Sequence, residues 1–95
     1  MSQQTLAVYK VSPDHLYSEV GSEAVILDLE SGVYYGLNET GVRIWEWLQE
    51  PKAFAELHEL MMNEYEVDSQ QCESDLKKIL AGMTEAGILE LSGSI

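Results

Sequence analysis

The stretch that decides the fold is residues 23–37, which read EAVILDLESGVYYGL. Its first half, Glu23 to Leu29, is the most continuous strand-favouring run in the chain and predicts a central β-strand. Residues 30–32 predict a turn, since Gly32 can take the positive φ that tight turns need. Val33 to Leu37 then predicts a short aromatic strand. Two strands joined by so short a turn pair in antiparallel fashion.

The residues before this hairpin predict one more strand. From His15 to Val20, the set Leu16, Ser18 and Val20 alternates with His15, Tyr17 and Glu19, which predicts a half-buried strand, and residues 21–22 form a turn into the hairpin. The first dozen residues predict only a loose extended segment. The sequence therefore predicts a three-stranded antiparallel meander.

After the hairpin the apolar pattern changes to a helical period. Asn38 is a good N-cap for a first helix that ends before Pro51. A second helix is predicted over residues 53–65, and a third from a cap at Asp68 to a C′ glycine at Gly87. Strands followed by helices predict an α+β fold: a winged-helix-like, three-stranded antiparallel sheet followed by three helices.

Two further expectations concern the end of the chain and the core. Residues 88–91 predict a brief final strand. The side chains assigned to the core include Leu27, Leu29, Ile44, Trp45, Leu48, Leu57 and Met61.

Composition limits the classes of function. The chain has 95 residues, which fits one domain, and 45% of them are hydrophobic. Five Lys and Arg stand against 17 Asp and Glu, for a net charge of −12. Such a charge argues against nucleic acid and against anionic membranes as partners. A single cysteine, no membrane-length apolar run and no signal-peptide pattern predict a cytoplasmic protein.

The residues that commonly carry chemistry do not form a catalytic pattern. His15 and His58 are far apart in sequence, and neither has metal-ligand spacing with Cys72. Cys72 opens the buried side of the third helix in an acidic region, so we expect an unreactive thiol. The glycines are spaced for turns and not for a phosphate-binding loop. We expect no catalytic residue, no metal site, no cofactor and no enzyme activity.

The strand from Val33 to Leu37 is the most informative element for function. Edge strands expose unpaired N–H and C=O groups, which proteins commonly protect with Lys or Pro, and this strand has neither. Such an edge can accept an added peptide strand. The alternative is that Tyr34 and Tyr35 are simply packed and that the N-terminal segment covers the edge, in which case no peptide binds there.

Two other classes of function have their own tests. A winged-helix shape is compatible with a DNA-binding regulator, but Lys77 and Lys78 on the third helix are outweighed by nearby acids. A gel shift at low salt tests that alternative. Turnover by the purified protein would indicate an enzyme.

The hairpin and its flanks resemble the PqqD-like family. The residues that carry the resemblance are AVILDL (24–29), SGVYYGLN (31–38), Gly41, Ile44-Trp45 and Gly87-Ile88-Leu89. The similarity covers about residues 15–91, within a single domain of residues 1–95. It implies a peptide-recognition element of a pathway that modifies ribosomally made peptides. In this family a precursor's leader binds as an extra antiparallel strand on the third strand, beside the third helix.

Within the family, the chain is most similar to the stand-alone leader-binding proteins of lasso peptide biosynthesis. That resemblance implies three partners: a precursor leader peptide, a leader-removing cysteine protease and a macrolactam synthetase. The alternative is a peptide chaperone for a radical SAM enzyme in pyrroloquinoline quinone or other modified-peptide biosynthesis, whose members usually carry a different central hairpin.

The resemblance also implies the peptide-binding residues. The added strand is expected to pair with Val33, Tyr34, Tyr35, Gly36 and Leu37. The third helix is expected to line an apolar pocket with Leu76, Leu80 and Met83 and to form its rim with Glu73, Lys77 and Thr84. On this assignment, Leu80→Asp should abolish leader binding and leave the fold largely intact.

Overall fold

The computed structural model describes residues 8–92, which form six strands and three helices. The strands are β1 (Val8–Val11), β2 (His15–Val20), β3 (Glu23–Asp28), β4 (Tyr34–Leu37), β5 (Lys52–Ala53) and β6 (Leu89–Ser92). The helices are α1 (Glu39–Trp47), α2 (Phe54–Glu64) and α3 (Ser69–Glu85). The predicted α+β class, with a three-stranded antiparallel sheet and three helices, is confirmed.

The larger sheet has the strand order β2-β3-β4, so the 23–29 run is central as predicted. Both pairings are antiparallel, with Leu16 opposite Leu27 and Leu27 opposite Tyr34. The turn between β3 and β4 has Gly32 at φ +76°. Within this turn the Ser31 hydroxyl donates a hydrogen bond to the carboxylate of Asp28. This turn sets the register of β4 and therefore the position of its outer edge.

A second, smaller sheet has the order β5-β1-β6. The sequence predicted only a loose extended segment for the residues of β1, but Val8–Val11 pairs antiparallel with both β5 and β6. This sheet ties the start of the described chain to its end.

The helix boundaries follow the predicted caps. The side chain of Asn38 accepts from the Gly41 N–H, and that of Asp68 accepts from the N–H groups of Gln70 and Gln71. Gly87 has φ +85°, as expected of a C′ residue after α3. Each of these helix ends therefore lies where a side chain or a glycine satisfies the backbone.

The core lies between the larger sheet and the three helices. Its fully buried side chains include Ile26, Ile44, Leu48, Leu57, Leu76, Leu80, Met83 and Ile88. Two predicted core residues are wrong: Leu27 is only half-buried and Leu29 is 52% exposed. Side chains alternate along β3, so Ala24, Ile26 and Asp28 face inward and their neighbours face out.

Candidate functional site

The free edge of β4 is defined by its hydrogen-bonding pattern. The Asp28 N–H donates to the Val33 carbonyl at 3.0 Å, which extends the β3–β4 ladder by one pair. Antiparallel strands bond through alternate residues, so Tyr35 and Leu37 also face β3. The N–H and C=O groups of Tyr34 and Gly36 point the other way. Among residues 8–92 no strand pairs with that side of β4, which we call the β4 edge.

The alternative that the N-terminal segment covers this edge can be judged from Val8 onward, where the described residues begin. Residues 8–11 form β1 and pair with β5 and β6 in the other sheet. Residues 1–7 lie outside the described residues. Every described residue of the N-terminal segment is therefore engaged away from β4.

The side chains of β4 alternate between the two faces of the sheet. Tyr35 is half-buried and Leu37 is buried, both on the face toward the helices. Tyr34 is 69% exposed on the outer face, and a Cβ built on Gly36 would meet open space. Val33 precedes the strand and is half-exposed. A guest strand paired with β4 would therefore send alternate side chains toward the helices.

Helix α3 forms the second wall of the site. Tyr35 packs against it at Gly82, where an added Cβ would lie only 2.7 Å from the tyrosine hydroxyl. Ile79 lies one turn before Gly82 on the same face of the helix and is half-buried. The small residue at 82 thus lets the tyrosine ring and the helix approach closely.

A cavity of about 390 Å³ opens beyond the end of β4. It lies between the start of α1, the end of α2 and the β4-facing side of α3. Its lining is Asn38, Thr40, Met61, Tyr65, Val67, Cys72, Asp75, Lys78 and Ile79. The apolar part is large enough for one sizeable side chain, and Asp75 and Lys78 supply opposite charges.

The predicted pocket residues of α3 lie elsewhere. Leu76, Leu80 and Met83 have exposed fractions of 0%, 1% and 0%, so they belong to the core and do not line an open pocket. A carboxylate at position 80 would be buried without a partner, so Leu80→Asp is expected to unfold the chain. That substitution does not test peptide binding.

The predicted rim residues are also separated from β4. At about 100° per residue, Glu73, Lys77 and Thr84 lie about 140° to 180° around α3 from Gly82. The ammonium of Lys77 pairs with the Glu73 carboxylate at 3.4 Å. The Thr84 hydroxyl donates to the Leu80 carbonyl of its own helix at 2.8 Å.

Two helix positions on the side toward β4, Asp75 and Gly82, were missed in the sequence. They flank the apolar stripe, to which Ile79 belongs, on one side, and the rim residues flank it on the other. Helical spacing identified the stripe correctly. It carries no signal for which flank lies beside β4, because that depends on how α3 is oriented on the sheet.

The cysteine and the two histidines are packed against other side chains of the fold. The thiol of Cys72 is buried, and burial, with a smaller effect of Asp75, raises its pKa. The ring of His15 packs edge-on against Trp45 with centroids 5.1 Å apart, and His58 stacks on Phe54. Among residues 8–92, no His, Cys, Asp and Glu side chains form a group able to hold a metal ion. The same part of the chain has no helix long and apolar enough to cross a membrane.

Comparisons with solved structures give two close matches. One is described as TbiB1 in complex with the TbiA(beta) leader peptide; it has 34% sequence identity and a TM-score of 0.77, and the match covers 85% of this chain and 94% of that one. The other is described as lasso peptide synthetase B1 complexed with the leader peptide, with 26% identity, a TM-score of 0.74, and coverage of 86% and 96%. None of the curated proteins compared with the chain matches it.

The family comparison agrees with the hairpin motif. The model of the family described as coenzyme PQQ synthesis protein D (PqqD) matches residues 23–89. This range begins at the first residue of β3 and includes all three helices. The chain belongs to the PqqD family.

Proposed function

We propose that this chain is a non-enzymatic leader-binding protein of lasso peptide biosynthesis. It captures the leader of a precursor peptide as an added strand on β4 and presents it to a leader-removing cysteine protease and a macrolactam synthetase. The observation that carries the proposal is the β4 edge, whose Tyr34 and Gly36 backbone groups have no partner strand among residues 8–92. Two similar proteins described with bound leader peptides support it.

The geometry of the edge gives the guest a direction. An antiparallel guest places its N-terminal part at the end of β4 where Asn38 and the 390 Å³ cavity lie. Its C-terminal part then leaves beside Tyr34. Guest residues opposite Tyr35 and Leu37 face α3, so an apolar side chain there can reach toward Ile79 and the cavity.

Binding of this kind needs no chemistry in the protein itself. Backbone pairing contributes affinity and the cavity contributes specificity. A leader held on the sheet raises the effective concentration of the precursor at any enzyme bound to the same adaptor.

A proline substitution with a matched alanine tests the edge. Gly36→Pro removes the backbone N–H that faces the guest, whereas Gly36→Ala keeps it, and the Cβ that each substitution adds meets open space. Isothermal titration with a lasso precursor leader should show micromolar or tighter binding for the wild type and Gly36→Ala, and binding at least about tenfold weaker for Gly36→Pro. Equal affinity for both variants, with circular dichroism showing both folded, would mean that the guest does not use this edge.

The family description favours one second candidate. Its reference to coenzyme PQQ synthesis supports a peptide chaperone for a radical SAM enzyme. Both functions use the same edge, so the peptide decides between them. Tighter binding of a pyrroloquinoline quinone precursor than of a lasso leader in the same titration would favour the second candidate.

A further inference from the structure

The outer face of the larger sheet carries exposed apolar side chains that leader binding at the β4 edge does not use. Leu16, Leu27 and Tyr34 lie directly opposite one another across β2, β3 and β4. Leu16 is 58% exposed, and Leu29 and Val25 extend the row on the same face. We call these five residues the outer patch. Large apolar side chains grouped on one exposed face are typical of a protein interaction site.

The outer patch has shape as well as apolar character. Gly36 presents no side chain to the outer face, and the sheet is indented there between Val20 and Val25. The indentation has a volume of about 280 Å³. A partner can therefore lie along the ridge from Leu16 to Tyr34 and place one side chain in the depression beside it.

Charge defines the chemistry of that partner. From residue 11 to residue 42 the sequence contains no Lys or Arg. The exposed acids of the same segment are Asp14, Glu19, Glu23, Glu30 and Glu39. An apolar patch with an acidic surround fits a partner whose apolar contact is bordered by Lys or Arg.

A second copy of this chain is a poor occupant. Two outer patches face to face would bring like charges together in molecules that each carry a net charge of −12. Three strands about 4.8 Å apart, of six, six and four residues, present on the order of 250 Å². A stable dimer needs about 800 Å² from each partner. The face is suited to a transient contact.

We propose that the outer patch docks the protease that removes the leader, through an apolar surface on that enzyme bordered by basic residues. The inference rests on the proposed function. An antiparallel guest leaves β4 beside Tyr34, at the end of the sheet where the outer patch lies. The leader ends in this C-terminal direction, so its cleavage site comes after the residues that leave the sheet at that end. The guest residue opposite Tyr34 adds its side chain to the same face, which makes the loaded adaptor a larger target than the empty one.

The test compares two substitutions at exposed leucines on strands. Leu16→Glu alters the outer patch two strands away from the β4 edge, and Leu91→Glu alters β6 in the smaller sheet, where the wild-type leucine is 52% exposed. Circular dichroism and leader titration establish that each variant is folded and binds the leader. A cleavage assay with purified protease and a labelled precursor then measures the adaptor concentration that gives half-maximal rate.

We expect both variants to bind the leader as the wild type does. The half-maximal concentration should rise at least about tenfold for Leu16→Glu and stay unchanged for Leu91→Glu. Raising NaCl should increase this concentration for the wild type, because the contact pairs acids with bases.

The outcomes separate the two proposals. If Leu16→Glu binds the leader and supports cleavage as the wild type does, the docking surface is wrong and leader capture stands. If the wild type binds no leader, both proposals fail. If sedimentation shows a wild-type dimer that Leu16→Glu converts to a monomer, the patch is a self-interface and the protease assignment is overturned.

Discussion

Tyr35 of β4 packs against Gly82 of α3, and the two positions should be energetically coupled. Gly82→Ala improves helix propensity by about 1 kcal/mol, but the new Cβ would lie 2.7 Å from the Tyr35 hydroxyl. Without the hydroxyl, the nearest ring atom would be at 3.7 Å, an ordinary contact distance. We therefore expect Gly82→Ala to stabilise the Tyr35→Phe protein by up to about 1 kcal/mol and the wild type by clearly less.

Urea unfolding of the four proteins in this cycle measures the coupling. Ala81→Gly provides a control for propensity, because residue 81 is an exposed position on the same helix. It should cost about 1 kcal/mol with either Tyr or Phe at position 35. An equal gain from Gly82→Ala in both backgrounds would show that Tyr35 moves aside at no cost.

Individual residues also show what the sequence could predict. The hairpin was predictable because Gly32 and the two flanking β-favouring runs are local signals. The buried face of β3 was not predictable, because Val25, Ile26 and Leu27 are all apolar and show no alternation of apolar and polar residues. Leu27 and Leu29 were predicted to be core residues, whereas they lie on the open outer face, and the inward set of β3 includes the buried carboxylate of Asp28.

At the scale of elements, the turn joining β3 to β4 depends on Asp28. Its carboxylate accepts from the Ser31 hydroxyl at 2.8 Å and from the Glu30 N–H at 3.3 Å. The Ser31 bond is the main cause of a lowered Asp28 pKa; burial opposes it and the Glu30 N–H adds to it. The carboxylate therefore positions the turn in its ionised form.

The sign of the pH effect follows from that shift. A pKa lowered in the folded state gives stability that is complete above the unfolded value of about 3.9 and lost as pH falls through the folded value. Asp28→Asn should lower the melting temperature at pH 7 and make it fall less steeply below about pH 4 than in the wild type. Thermal melts of both proteins from pH 7 to pH 3 measure this.

Glu30→Gln is the matched control for the turn. It removes a nearby exposed carboxylate but keeps the backbone N–H that Asp28 accepts from. Its melting temperature at pH 7 should stay close to that of the wild type. If Asp28→Asn and Glu30→Gln behave alike, the Asp28 carboxylate has no special role in the turn.

Elements were predictable where a local rule applied and not where packing decided. The caps at Asn38 and Asp68 and the C′ glycine at Gly87 fixed the helices close to their observed ends. The residues predicted as the rim of the site, Glu73, Lys77 and Thr84, lie on the flank of α3 away from β4, and only the packing of the helix on the sheet determines this. The sheet of β1, β5 and β6 was missed, since Val8 pairs with Ser92 and no short-range pattern reports such a pairing.

At the scale of the whole molecule, the net charge of −12 should limit stability. The molecule measures 38 × 32 × 19 Å. The Debye length is about 30 Å in 0.01 M salt, so acids on opposite sides of the molecule repel one another there. It falls to about 10 Å in 0.1 M salt, and only neighbours then interact. Added NaCl should therefore raise the melting temperature.

Ion pairs act in the opposite direction, and their exposure decides which effect is larger. Arg43 pairs with Glu46 at 3.1 Å and with Glu64 at 3.2 Å, but all three side chains are at least 41% exposed. Exposed pairs contribute about 0 to 1 kcal/mol each, so screening them with salt lowers the free energy of unfolding only slightly. The chain has 17 acids and only 5 Lys and Arg, so the repulsion among the acids should outweigh the attraction within the ion pairs.

Thermal melts between about 10 mM and 300 mM NaCl, analysed beside a charge-reduced variant, test this balance. Replacing the exposed residues Glu59, Glu66 and Glu85 by Gln makes the net charge less negative and keeps the side-chain shape. The variant should melt at a higher temperature than the wild type in low salt and gain less from added NaCl. A wild-type melting temperature that falls with salt would instead show that ion pairs such as those of Arg43 are stronger than the repulsion.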